Sequence, residues 1–520
     1  MPEVTILVRA GQLVAAHDQP AVADGAIAIA GDLIHDIGPY DALAIKYPNA
    51  RVIGGTKFLV IPGLINAHTH GKGLSDFQRG ALDNTLETWR FDTYDKFIPL
   101  PTYEDVAYSA ARLLKSGVTG TMHNMLLPDT TGYEKKYHDL LRAYRDVGLR
   151  VLFCPAISNQ NPYVYGDNDQ VLQGLSKESR DTLTAPRPVG SLTAHNYVRV
   201  VSDLHSQHHG SMSRVGFGPV SPQWVTKELL LAIRSAAEQL DALIHTHALQ
   251  TIYQKLYPLK FFGKTLIEYL NDLGLLSSNV VLGHCVYPTE SDIDLLAKSD
   301  TGVTHHPSCN LRVRNGIAPI FHMHQAGMRV GIGIDSKGIN DDEDFIQEMK
   351  ICYLLQRIAS QELNSPYLSA REVLKMGTET GASLIGYGEE LGRLEKNKYA
   401  DLVLLDYEKM CHPFVHPDHD PIDTLLYRGK GAHVHTVIVN GKIVVEAGCL
   451  VTVEEEAIAK RLVEAAARPR TETEQAKDKA MDELKTQVIK YYRYWPDEID
   501  LEPYFFVNSR TNGLKQKLKS

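Results

Sequence analysis

Histidine recurs in this 520-residue chain at the ends of short apolar runs. "NAHTH" holds His68 and His70, "GTMHNM" holds His123, and "IHTHALQ" holds His245 and His247. "LGHCV" holds His284, "THHPSCN" holds His305 and His306, and "GIGIDSKG" holds Asp335. Residues at i and i+2 of a strand share a face, so His68 with His70 points two imidazoles in one direction. A lone histidine on a strand is ordinarily a hydrogen-bonded core group. Burying this many imidazoles with a carboxylate is costly unless something pairs with them. A divalent metal does so, taking neutral imidazole nitrogens and a carboxylate oxygen as ligands. The chemistry this predicts is hydrolysis by a metal-activated water.

Such residues need a scaffold that brings distant segments to one place. Apolar strands begin near Phe58, Val118, Val151, Val215, Ala242, Val280, Val303 and Val330, with amphipathic helical segments between most neighbours. Eight βα repeats predict an α/β fold, a (β/α)8 TIM-like barrel, with each polar cluster at the C-terminal end of a strand. A doubly wound sheet would more often show a glycine-rich phosphate turn after its first strand, and none is present. Alternating strands broken by glycine turns open the chain ("VTILVRAGQLV") and return late ("VHTVIVNGKIVVEAG"). These two β-rich pieces are expected to pair into one small composite β-sandwich. The resulting division is 1–60 and 392–452 for the two parts of the sandwich, 61–391 for the barrel, and 453–520 for a charged helical extension with an aromatic tail.

Composition narrows the function classes. Hydrophobic residues at 43% and charged residues at 22% fit a globular protein, and no apolar run is long enough to span a bilayer. A net charge of −9 argues against nucleic acid and gives no reason to expect a membrane partner. The six cysteines are scattered without a CxxC, as expected of free thiols in a reducing compartment. With no basic and apolar leader visible, the expected location is the cytoplasm.

Five motifs in order, "PGLINAHTH", "HALQ", "LGHCV", "HHPSCNLRVRNGIAPI" and "GIGIDSKGINDDEDFIQEMK", resemble the amidohydrolase superfamily. More narrowly they resemble its deaminase and triazine-hydrolase, chlorohydrolase-like, branch, over about residues 3–452. That resemblance implies one divalent ion held by His68, His70, His247 and Asp335, zinc first, with iron, cobalt or manganese also suited to an N3O set. It implies that Asp335 accepts the water's proton and that His284 polarises the attacked group. It also implies a homodimer or higher homo-oligomer acting on a small-molecule substrate. No lysine ends the third or fourth strand, so a carbamylated-lysine dinuclear site is not expected.

One position departs from the family. Members that deaminate heterocycles carry a glutamate three residues after the fifth-strand histidine, where this chain has Gln250. An amide orients a substrate but relays no proton. The expected activity is therefore hydrolysis of an amide, urea or carbamate type C–N bond in an aryl or heterocyclic compound. The alternatives are deamination of a purine, pyrimidine or triazine-like ring, and a non-catalytic scaffold, against which the intact ligand set speaks. Softer substrate-binding candidates are Trp89 and Phe91, in the loop that also holds Arg90 and Tyr94, together with His123, His305 and Lys337. For His305 and His306, the resemblance aligns His305 with a family histidine, while His306 replaces a small or polar residue.

Overall fold

The computed structural model describes residues 3–93, 96–126, 133–185, 193–357 and 363–496. Tyr94 and the aromatic tail after residue 496 lie outside the described residues.

Strands from both ends of the chain build one mixed eight-stranded sheet. Its N-terminal members are β1 (Ile6–Leu13), β2 (Val22–Ala30), β3 (Leu33–Pro39) and β4 (Arg51–Pro62). The middle of the chain supplies shorter, mostly buried strands: β5 (Leu64–Thr69), β6 (Val118–Leu126), β7 (Arg150–Ile157), β8 (Ser213–Val215), β9 (Gly218–Pro219), β10 (Ile244–Ala248), β11 (Val280–His284), β12 (Gly302–His305) and β13 (Val330–Ile332). The C-terminal strands are β14 (Leu402–Asp406), β15 (Val434–Val439), β16 (Lys442–Glu446) and β17 (Cys449–Leu450). The mixed sheet runs β17-β16-β15-β14-β4-β1-β2-β3, and its two halves meet where β14 lies antiparallel to β4, Leu402 opposite Pro62.

The middle strands form two parallel sheets, β5-β6-β7-β8 with β9 on β7, and β10-β11-β12-β13. All the ladders within them are parallel. Parallel strands covered on both faces read as near-continuous apolar runs, which is how "VVLGH" and "RVLFCPAI" stand in the sequence. The two sheets touch along both seams. At one, Phe217 pairs with Ile244 and the His245 N–H donates to Phe217 O at 2.8 Å. At the other, Thr69 pairs with Asp335, and the Asp335 N–H donates to His68 O at 3.0 Å.

The first parallel strand differs from the sequence expectation. Phe58 belongs to β4 of the mixed sheet, and the parallel strand begins at Leu64. Pro62 and Gly63 separate them, and a Cβ at Gly63 would stand 2.1 Å from Thr119 Oγ1, so only glycine lets β5 approach β6 there.

Helices between the strands present apolar faces to this core. In Thr102–Lys115 the buried side chains include Val106, Ala107, Ala110, Ala111 and Leu114, one helical stripe. Thr265 and Thr289 each close a capping box at the start of their helices. The C-terminal segment forms helices Glu455–Ala466 and Glu472–Tyr492. The second lies against helix Leu86–Thr93, tied by Lys485 to Asp92 at 2.5 Å, and Tyr492 Oη accepts from the Tyr165 N–H at 2.8 Å. Met481, Leu484, Val488 and Tyr492 share an apolar cluster with Trp89, Phe91, Tyr165, Trp224 and Cys309.

One buried ion pair ties the mixed sheet to the parallel strands. Arg150 at the start of β7 is fully buried, and its Nε and Nη2 donate to the two oxygens of Asp401 at 2.8 and 2.9 Å. Nη2 also reaches Asn440 Oδ1, Nη1 donates to Ser211 O, and the guanidinium covers the Tyr399 ring at 4.2 Å. Removing one partner of such a pair strands the other charge, a loss of about 3–5 kcal/mol. Denaturant titration of Asp401→Ala is expected to show a loss of that size; a change of less than about 1 kcal/mol, the size of an exposed pair, contradicts this anchor.

Candidate active site

The polar strand ends converge at the C-terminal ends of the parallel strands. His68 Nε2 lies 3.2 Å from His247 Nε2, and His70 Nε2 lies 3.0 Å from Asp335 Oδ1. His68 Nε2 is 3.7 Å from the same Oδ1, while His284 Nε2 is 3.6 Å from Oδ2. Ligand-capable atoms of His68, His70 and His247 all fall within 4.8 Å of one another. His68, His247, His284 and Asp335 are buried. His284 and Asp335 take φ of 73° and 67°, a conformation rarely used by residues with a Cβ. Such strain, of order 1–3 kcal/mol each, turns both side chains inward where a regular strand would carry on. Gly71 follows the second histidine at φ 60°, and a Cβ there would stand 2.2 Å from the His123 ring.

The hydrogen bonds fix which nitrogens face inward. His70 Nδ1 is 2.9 Å from Asn124 O, and His247 Nδ1 is 2.6 Å from Val220 O. A carbonyl only accepts, so both Nδ1 atoms carry the proton and both Nε2 atoms offer lone pairs to the pocket. His284 likewise sends Nδ1 to Asn310 Oδ1 at 2.9 Å. Lone pairs facing each other and a carboxylate at these distances repel unless a cation lies among them. The residues therefore fit a divalent ion: three imidazole nitrogens and one carboxylate oxygen, with His70 and His247 oriented from behind and His68 Nδ1 left without a partner.

Burial suits the imidazoles to this task. It pushes the pKa of His68 and His284 well below the usual range, with the neighbouring His306 adding to it, and that of His247 down to about 4. For Asp335 burial acts upward, but the imidazoles of His306, His68 and His70 packed against the carboxyl outweigh it and hold it well below its ordinary value. His68, His247 and His284 are thus neutral and Asp335 ionised across the physiological range.

Sequence reasoning favours His305 over His306, and the structure reverses them. Residues alternate faces along a strand, and Val303 packs in the outer core with the helices, which puts His305 on that side. His305 is fully buried and neither ring nitrogen has a partner. His306 enters the cluster instead, its ring stacked on His68 at 4.5 Å and 14°. His68, His306 and Asp335 offer a second close set of ligand atoms. His306 has Nε2 2.9 Å from Thr304 Oγ1 and Nδ1 3.5 Å from Asp335 Oδ2, so it stands beside the other imidazoles. His245 covers the opposite face of His68 at 4.9 Å and 20°, a role the motifs do not announce. Strand parity alone would have found both, since 245 matches 247 and 306 matches Thr304.

The softer candidates take varied places. Gln250 is buried beyond the left-handed Leu249, and its N–H donates to Gln254 Oε1 at 2.8 Å. The adjacent Thr251 donates to Glu87 Oε1 at 2.5 Å, a buried carboxyl whose pKa burial raises. His123 packs behind Gly71 with Nδ1 2.9 Å from Tyr144 Oη, rather than opening toward a substrate. Lys337 is likewise committed, donating to Lys72 O at 2.8 Å and to Glu343 at 2.6 Å. Trp89 and Phe91 are buried in the apolar cluster beneath helix Glu472–Tyr492, with the Lys72 ammonium 5.2 Å from the Trp89 ring. A cavity of about 400 Å³ opens beside them, lined by Glu87, Thr88, Tyr253, Tyr492 and Arg493 among others. The C-terminal helix Glu472–Tyr492 therefore packs on the segment that follows His68 and His70. Among the described residues, no helix is long and apolar enough to cross a membrane.

The sequence matches the amidohydrolase family over residues 59–444. It is 30% identical over 442 residues to the 5-methylthioadenosine/S-adenosylhomocysteine deaminase of Moorella thermoacetica, covering 84% of this chain and 94% of that one. It is also 30% identical to the 5'-deoxyadenosine deaminase of Methanothermobacter thermautotrophicus over 439 residues, 84% of this chain and 91% of the relative. Among solved structures, a zinc-bound adenosine deaminase from Xanthomonas campestris superposes with a TM-score of 0.76 at 22% identity, covering 89% of this chain and 98% of that one. A mutant atrazine chlorohydrolase from Arthrobacter aurescens, complexed with zinc and atraton, also gives 0.76, at 23% identity over 89% of this chain and 100% of that one.

Burial of His123 has a pH signature. Its pKa falls from 6.5 to about 3, chiefly by desolvation. The unfolded chain therefore takes up a proton that the folded chain refuses, and stability present above about 6.5 is lost as pH falls toward about 3. In chelator-treated protein, unfolding free energy is expected to fall less between pH 7 and pH 5 for His123→Phe than for the unsubstituted chain. Equal losses would contradict a neutral buried His123.

Proposed function

The chain belongs to the amidohydrolase family, and from that premise we propose that it is a metal-dependent hydrolase breaking a C–N bond to a planar, nitrogen-rich ring. The observation that carries the reading is the meeting of inward imidazole lone pairs with the Asp335 carboxylate in one buried pocket. His68, His70, His247 and Asp335 hold the ion in this reading, with zinc favoured by the N3O donor set. Bound there, a divalent cation supplies Lewis acidity and makes water a nucleophile near neutral pH.

The chain's own residues do the rest. Asp335 Oδ2 takes the proton of the attacking water, since Oδ1 faces His70 and His68 while Oδ2 faces His284 and His306. His284, its Nδ1–H held by Asn310, turns the Nε2 lone pair toward the Oδ2 side of Asp335, where it accepts a hydrogen bond from the attacking water and orients it. Gln250 orients the substrate by amide hydrogen bonds and moves no proton. The nine parallel strands, with β8 and β9 both on β7 counted as one position, are read as a closed (β/α)8 barrel with the mixed sheet as its small composite domain.

The relatives at 30% identity carry names of adenine-nucleoside deaminases, which supports an exocyclic amino group on a purine-like ring as the bond broken. Gln250 favours a second reading, aryl ureas or carbamates, whose leaving groups depart without protonation of a ring nitrogen. Assays of metal-replete enzyme on adenine nucleosides, aminopyrimidines and aminotriazines, beside aryl ureas and carbamates, decide between them. Ammonia release from the aminated rings is expected. Gln250→Glu should raise that rate by about 10²-fold, the lower range of a general acid's contribution. Amine release from ureas or carbamates without ammonia from any ring moves the assignment to the second reading; turnover of neither class defeats both.

A further inference from the structure

His306 is not needed to complete the N3O ligand set, yet it touches more of the site than any soft candidate. It is fully buried where β12 gives way to helix Pro307–Arg312. Nε2 lies 2.9 Å from Thr304 Oγ1 on the strand below. Nδ1 lies 3.2 Å from His284 Nδ1 and 3.5 Å from Asp335 Oδ2. The ring stacks on His68 and meets His284 edge-on at 4.3 Å and 75°. Gly283 and Gly333 leave room for it: a Cβ at Gly333 would stand 3.0 Å from His306 Cδ2, and one at Gly283 would stand 3.3 Å from Cε1.

We propose that His306 is a positioning residue that fixes the aim of His284 and the plane of His68. The inference rests on the hydrolase reading for its kinetic consequences but not for its geometry. With Nε2–H anchored on Thr304, Nδ1 accepts from the His284 Nδ1–H, which it shares with Asn310 Oδ1. Two acceptors then bracket one donor, and the His284 ring loses its freedom to rotate about χ2. Its Nε2 stays directed at Asp335 Oδ2, the side assigned to the reacting water. Meanwhile the stacked ring keeps His68 from tilting its Nε2 away from His247. A small residue would leave the His284 ring held by Asn310 alone and open a void against His68.

Three variants separate this role from ligation and from mere filling. The Asn amide reaches where Nδ1 stands, and the Gln amide reaches where Nε2 stands. His306→Asn should therefore keep a partner for His284, while His306→Gln and His306→Ala should not. Expected are one metal ion per chain in all three by elemental analysis, and a kcat lowered about tenfold or more in the Ala and Gln variants with KM little changed. Recovery toward the unsubstituted kcat is expected in His306→Asn. Independently of any substrate, the His284 Nδ1–H signal in imidazole ¹H–¹⁵N spectra should shift in His306→Gln and stay in place in His306→Asn. Loss of metal from His306→Ala or His306→Gln would make His306 a ligand and overturn the proposal. Equal kcat and an unmoved His284 signal across the Asn and Gln pair would also overturn it, even if the Ala variant fails to fold. Absence of C–N turnover with the spectral difference intact would instead fault the hydrolase reading alone.

Discussion

Two backbone carbonyls and one side-chain amide govern the chemistry of this pocket. Asn124 O, Val220 O and Asn310 Oδ1 each claim the Nδ1 proton of a histidine, leaving the Nε2 lone pairs of His70, His247 and His284 pointed at one another and at Asp335. Without a cation among them this arrangement is repulsive, with His68 Nε2 3.2 Å from His247 Nε2 and 3.7 Å from Asp335 Oδ1. The backbone therefore enforces the demand for a metal before the metal arrives. The carbonyls lie near the strand ends, so the sheet geometry itself sets the tautomers.

The fold supports that constraint at several distances from the ion. β5 and β13 meet through the Thr69–Asp335 bridge, so His68 and Asp335, the first and last of the proposed ligands in the sequence, are hydrogen-bonded neighbours. Asn66 Oδ1 accepts from the Ile334 N–H at 2.9 Å, pinning the same seam one step below. Left-handed backbone at His284 and Asp335 is tolerated because the surrounding strands over-determine it. Further out, Arg150 and Asp401 fasten the parallel strands to the mixed sheet, and helix Glu472–Tyr492 packs over Trp89, Phe91 and Tyr165. The C-terminal helices are thus packed structure bearing on the site's surroundings, including the cavity beside Glu87.

Much of this is legible in the residues. Alternation of apolar strands with amphipathic helices locates seven of the eight expected parallel strands to within a few residues, because strands buried on both faces leave an unbroken apolar signature. The remaining one, expected at Phe58, is displaced because β4 and β5 form one continuous apolar run, and only the packing of Gly63 on Thr119 divides it. His68, His70, His247, His284 and Asp335 stand out because the motifs occur together and in order. What is harder to read depends on direction. His305 and His306 are equivalent by composition, and strand parity, which a sequence reading can apply, sends one outward and the other into the cluster. Lys337 and His123 look available in a sequence, whereas their partners, Glu343 and Tyr144, lie six and 21 positions away. Nothing in the order of residues announces that Glu472–Tyr492 folds back over Trp89.

In the proposed reading, Gln250 leaves the acid–base work to Asp335 and the imidazole beside it. That division of labour holds only if the four ligands share a single ion. X-ray absorption at the edge of the bound metal, on purified and reconstituted protein, measures this directly. The account predicts one divalent ion per chain with three imidazole nitrogens and a carboxylate oxygen at about 2.0–2.2 Å. Protein that binds no stoichiometric metal, or an ion whose shell is unchanged when His68, His70 and His247 are replaced, would contradict it.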